Sequence, residues 1–139
     1  MAPEFILDPR LAANSRVIGD LPLGHLRLVD NLAFPWVLLI PRRAAIREIH
    51  ELAPVDQRQL TAEVSHLAAG MQTAFKADKM NVAALGNAVP QLHVHVIARW
   101  AGDICWPGPI WARHQERPLS APQWAARESH IRAIFDAWR

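Results

Sequence analysis

The chain has 139 residues, with 15 Lys and Arg against 13 Asp and Glu for a formal net charge of +2. That length suits one domain with a buried core, and 51% apolar with 20% charged residues excludes disorder and a coiled coil. So slight a positive balance offers no electrostatic track, and no stable nucleic-acid partner is expected. Cys105 is the sole cysteine, which rules out an internal disulfide and makes a reducing compartment the simpler assumption. The first ten residues carry no continuous apolar block and do not read as a secretory signal. The longest apolar run, Val37 to Ile40, falls far short of the roughly 20 residues a membrane span needs. A cytoplasmic location with no membrane partner is the expectation.

In chain order, Phe5 to Ser15 reads as a short preamble with a helical turn after Pro9. Gly24 introduces an alternating strand over His25 to Asp30, and Pro35 and Pro41 bracket a buried strand over Trp36 to Ile40. Between Pro54 and Ala77, Leu60, Val64, Leu67, Met71 and Phe75 recur at spacings of four, three, four and four. This is an amphipathic helix with Pro54 in its first turn. Met80 to Leu85 reads as a strand, Gly86 to Pro90 as a turn, and 91–99 as the returning strand of a hairpin. Residues 101–119, rich in Pro and Trp, lack periodicity and read as an irregular segment. Ser120 and Gln123 form a capping box for a last helix whose Trp124, Ile131, Phe135 and Trp138 share a face. The order predicts an α+β fold, an antiparallel sheet covered by one main helix.

Within 91–99, alternation puts Gln91, His93 and His95 on one side and Leu92, Val94 and Val96 on the other. With the apolar set packed inward, the polar set lines a cleft. Side chains two apart on a strand stand about 6.8 Å apart at the backbone, so both histidines reach one phosphate group. A neutral imidazole attacks phosphorus and an imidazolium binds anions near neutral pH. The attacking ring needs its other nitrogen to donate to a carbonyl or carboxylate, a partner the sequence does not show. Arg99 shares the face by parity but lies about 20 Å from His93 along a regular strand, which gives it a rim or structural role.

Gln91-Leu-His-Val-His-Val-Ile-Ala-Arg99 closely resembles the signature of the histidine-triad (HIT) family, His-φ-His-φ-His-φ-φ. The layout over roughly residues 20–100 is similar as well: Leu38-Leu-Ile-Pro-Arg42 stands where the family has an Ile-Pro-Lys/Arg-like strand end, and Gly86-Asn87 where it has a Gly-Gln turn. The resemblance implies a HIT-like domain over 1–139, with its core at about 20–100 and a tail at 101–139. It also implies a homodimer acting as hydrolase or transferase at the α-phosphate of a nucleotide, such as a dinucleoside polyphosphate, with no obligatory cofactor. By the same resemblance His93 is the covalent nucleophile, His95 contacts the phosphate, and Asn87 contacts the phosphate or leaving group. Asp30, with Asn31 behind it, holds the ribose. Two departures stand out: Gln91 replaces the first histidine and is left to position the leaving group or water, and Trp36 stands where a further histidine is common. Ala88 replaces a Ser or Thr found in many members, which leaves phosphoramidate cleavage poorly supported.

Blander readings stand beside these. Asn87 after Gly is also an ordinary turn former, and Asp30 an ordinary strand terminator. The six tryptophans, four of them after residue 105, read as packing for the tail or for an oligomer interface rather than as base-stacking platforms. His50, His66, His114 and His130 read as surface or helix-face residues. A non-catalytic nucleotide-binding module is the main alternative function. A zinc-dependent hydrolase is a second, requiring His25, His50 or His66 to fold beside the strand pair.

Overall fold

The structure, a computed structural model, describes residues 3–113 and 117–139. Five strands, β1 (Ser15–Asp20), β2 (Gly24–Val29), β3 (Trp36–Pro41), β4 (Lys79–Ala83) and β5 (Val94–Arg99), form one antiparallel sheet in the order β1-β2-β3-β5-β4. Helix α1 (Pro9–Ala12) precedes them, α2 (Pro54–Phe75) joins β3 to β4, and α3 (Ala121–Asp136) follows the sheet. The α+β architecture is the one expected. No described helix is long and apolar enough to cross a membrane.

One face of the sheet builds the main core, with Leu26, Leu28, Val37, Leu39, Val94 and Val96 packed against Leu60, Leu67 and Met71 of α2. Trp124, Ile131 and Ile134 bring α3 into the same core, so the two helices share the cover. The capping box that starts α3 is formed: Ser120 Oγ accepts from the Gln123 N–H and Gln123 Oε1 from the Ser120 N–H. Glu63 of α2 is fully buried, and its carboxylate accepts the Leu23 and Gly24 N–H groups, both at 2.8 Å. These bonds fix the start of β2 against the helix and satisfy a charge that burial would otherwise penalise.

The opposite face decides where a site can form. From one side the N-terminal segment covers it, with Phe5, Leu7 and Leu11 packed on Val29, Leu38 and Ile40. From the other side the loop after β5 covers it, with Cys105 and Ile110 packed on Phe34 and Ile97. Arg99, 1% exposed, anchors that loop by donating to both carboxylate oxygens of Asp103 (2.8 and 2.9 Å), to Asn81 Oδ1 (2.7 Å) and to the Gly108 carbonyl (2.9 Å). It is a structural residue. A gap above Leu38 and His95 stays open between the two coverings.

Two elements differ from expectation. Strand β1 was not legible, because its pairing with β2 slips between Val17 and Gly19 and a bulge breaks the period-two pattern. The histidine strand is also shorter than its alternation suggests: its first paired residue is Val94, opposite Leu39, so Gln91 and His93 lie in the approach to β5 rather than in it.

Candidate active site

The reactive geometry begins with that approach. Residues 84–93 turn between β4 and β5, and His93 Nδ1 lies 2.7 Å from the Gln91 main-chain carbonyl. A carbonyl only accepts, so Nδ1 carries a proton, and in the neutral ring this tautomer leaves the lone pair on Nε2. Nε2 has no hydrogen-bond partner among the described residues. His93 is 5% exposed and lines a cleft of about 390 Å³. Gly86 makes room for it: a Cβ there would sit 3.2 Å from His93 Cε1 and 2.7 Å from the Val89 carbonyl oxygen.

His95 projects from β5 into the same cleft with its ring centroid 4.8 Å from that of His93. Its tautomer is the reverse. The Trp36 indole N–H donates to Nδ1 at 3.1 Å, and Nε2 donates to the Leu85 carbonyl at 2.9 Å. An indole only donates, so the two bonds together require a neutral ring protonated at Nε2. Burial pushes the His95 pKa down to about 4, against a smaller opposing effect of the Leu85 bond, so the ring is uncharged near neutral pH. With both nitrogens engaged, His95 walls the cleft beside His93 and holds Leu85 and Trp36 in place. Trp111, from the loop that Arg99 anchors, stands edge-on to His95 at 4.9 Å and to Trp36 at 5.9 Å.

Of the other residues singled out by sequence, Asn87 lines the cleft, is exposed, and makes no side-chain hydrogen bond among the described residues. Gln91 does not line it. Its Oε1 accepts from the Asp8 N–H at 2.8 Å and its Nε2 donates to the Ile6 carbonyl at 2.9 Å, so the carboxamide clamps the N-terminal segment instead of facing a leaving group or water. Asp30 and Asn31 do not line the cleft either. Asp30 Oδ1 accepts from the Leu119 N–H at 2.7 Å, and Asn31 Oδ1 closes a local turn by accepting from the Phe34 N–H at 3.1 Å. His25 bonds to Asp20, His66 to the Ile134 carbonyl, and His130 meets the Phe75 ring, all away from the cleft. His114 lies outside the described residues. No three His, Cys, Asp or Glu side chains among the described residues stand close enough to share a metal ion.

Arg10, Asn14 and Trp111 line the cleft without having been singled out. Arg10 and Asn14 sit in a preamble with no motif, and their place depends on how the N-terminal segment crosses the sheet. Trp111 carried one usable signal, its position in a Trp- and Pro-rich segment soon after the histidine strand.

The family model of the HIT domain matches residues 10–102. Among solved structures, a histidine triad protein of Marinobacter aquaeolei VT8 is 42% identical, covers 96% of this chain and 98% of its own, and superposes with a TM-score of 0.93. A histidine triad (HIT) protein of Sinorhizobium meliloti 1021 is 44% identical over 94% of this chain and 96% of its own, with a TM-score of 0.90. One of Bradyrhizobium japonicum is 42% identical over 95% and 98%, with a TM-score of 0.91. No curated protein matches the chain. The match of the family model over two thirds of the sequence, and the near-complete overlap with these three structures, place this chain in the histidine-triad family, whose members are generally nucleotide-binding hydrolases and transferases.

Proposed function

We propose that the cleft is the active site of a nucleotide hydrolase or nucleotidyl transferase. It acts at the α-phosphate of a dinucleoside polyphosphate or related nucleotide derivative, through a covalent nucleotidyl-His93 intermediate. The observation that carries this reading is the bond from His93 Nδ1–H to the Gln91 carbonyl on a ring that lines the cleft: in the neutral ring it sets the tautomer whose lone pair is on Nε2.

In this reading the Nε2 lone pair attacks the α-phosphorus while the P–O bond to the leaving group breaks, its electrons staying on the departing oxygen. The ring becomes cationic, and its bond to the Gln91 carbonyl turns charge-assisted and strengthens as the intermediate forms. Water, or another acceptor, then attacks phosphorus; the P–N electrons return to the ring and the acceptor's proton passes to solvent. Asn87, with an uncommitted carboxamide, donates to a phosphate oxygen. His95 stays neutral and positions the wall against which His93 turns. The reading assigns no obligatory cofactor.

The competing reading is a nucleotide-binding module without turnover, favoured by the commitment of Gln91 to the N-terminal segment and by the lack of a hydroxyl at Ala88. Product formation from labelled dinucleoside polyphosphate separates the two. The enzyme reading predicts release of nucleoside monophosphate that His93→Ala abolishes while AMP still binds. Binding without product in the unaltered protein overturns it. A homodimer in the cytoplasm belongs to the same proposal; β4, an edge strand with Val82 50% exposed, offers a surface for the second copy.

A further inference from the structure

Among the described residues that line the cleft, Arg10 is the one permanent cation. It reaches the cleft on the segment that Gln91 clamps, with its side chain 60% exposed. Its guanidinium is fixed in place: Nε and Nη2 donate to the two Asp8 carboxylate oxygens at 3.1 and 2.9 Å, and Nη1 donates to the Ala88 carbonyl at 3.1 Å. A guanidinium has five N–H groups, so two of them, one on each Nη, remain for a ligand. Ala88 lies two residues from Gly86, where an added Cβ would sit 3.2 Å from His93 Cε1, so the guanidinium is tied to the turn that passes the His93 ring, and both line one cleft.

Among the described residues the cleft has no placed acid for a departing group. The His95 N–H is committed to the Leu85 carbonyl, Ala88 has no hydroxyl, and the Gln91 carboxamide faces the N-terminal segment. A leaving amine needs a proton as its bond to phosphorus breaks. A phosphate-terminated group departs as a stable anion and needs none.

We propose that Arg10 is the specificity-determining residue of this cleft: it receives the anionic, phosphate-terminated leaving group, and so selects nucleotide anhydrides over nucleotides whose leaving group is an amine. This rests on the reading of the cleft as a nucleotidyl-transfer site. In the step concerned, the P–O bond breaks with its electron pair on the departing phosphate oxygen, whose charge the two remaining Arg10 N–H groups meet, and no proton moves.

The test has a binding arm and a turnover arm. Affinities for AMP and for a diadenosine tetraphosphate carrying methylene bridges in place of the scissile oxygens are measured by calorimetry for the unaltered protein, Arg10→Met and Arg10→Lys. The expected result is a fall of about ten-fold or more in the tetraphosphate-to-AMP affinity ratio for Arg10→Met, which removes both charge-assisted N–H contacts, with partial recovery in Arg10→Lys. The ratio of kcat/KM for diadenosine tetraphosphate over adenosine phosphoramidate falls in parallel. Ratios unchanged in Arg10→Met overturn the proposal and leave Arg10 a latch between Asp8 and Ala88. If the unaltered protein turns over neither substrate, the enzyme reading fails, while the binding ratio still decides the role of Arg10.

Discussion

Acid should destabilise this protein through His95, and the amount follows from its surroundings. His95 is 6% exposed and its ring is neutral in the fold near neutral pH, with a pKa pushed down to about 4 by burial, whereas in the unfolded chain it returns to an ordinary value near 6.5. Between those two values the unfolded state binds a proton that the folded state does not, so stability falls as pH is lowered through 6.5 and the loss levels off below 4. Integrating that difference gives a loss of about 2 kcal/mol by pH 5 and about 3 kcal/mol by pH 4, relative to pH 8. Carboxylates also titrate in the lower part of the window, so the comparison is with His95→Asn, in which they cancel. Urea unfolding of both proteins at half-unit steps from pH 8 to 4 gives the difference, and the titration of the His95 ring by NMR gives its midpoint directly. Parallel stability curves, or a His95 midpoint near 6.5, would show that burial and the two bonds at its nitrogens do not hold the ring neutral.

Trp36→Phe removes the indole N–H that meets His95 Nδ1 and leaves a buried acceptor unpaired, so urea unfolding near pH 7.5 should show a loss of about 1–3 kcal/mol. The same change should move the His95 midpoint upward, because Nδ1 is then free to take a proton. Gly86→Ala forces a Cβ to within 2.7 Å of the Val89 carbonyl oxygen and 3.2 Å of His93 Cε1. The turn must shift, and kcat should fall about ten-fold or more; unchanged turnover would show that this turn does not set the His93 ring. Arg99→Met strands the Asp103 carboxylate and removes donors from Asn81 and Gly108, which should cost about 3–5 kcal/mol in unfolding experiments. Hydrogen exchange in 103–111 should quicken with it.

The histidine motif was legible because its message is local. Two rings in alternation, a preceding Gly86-Asn87 and the Leu-Ile-Pro end of β3 are properties of short stretches, and so is the spacing of Leu60, Leu67 and Met71 that made α2 plain. What lay hidden depends on contacts distant in sequence. Gln91 reads as a triad position, yet its carboxamide is taken by the backbone of residues 6 and 8, more than 80 positions away. Asp30 is taken in the same way by Leu119, and only the path of the tail reveals it. The proton that matters most, on His93 Nδ1, is held by a main-chain carbonyl, which every residue has and no sequence marks. Strand β1 escaped for a geometric reason: the bulge at Val17 and Gly19 destroys the alternation by which a strand is read.

In the proposed reaction His93 Nε2 forms the bond to phosphorus. Rapid quenching into alkali after mixing with dinucleoside polyphosphate, followed by peptide mapping by mass spectrometry, tests it directly, since a phosphoramidate survives base and is lost in acid. A nucleoside monophosphate mass on His93, formed within the first turnover and missing from His93→Ala, is the predicted result. Product formed at full rate with no modified peptide, or with the adduct on another side chain, would contradict it.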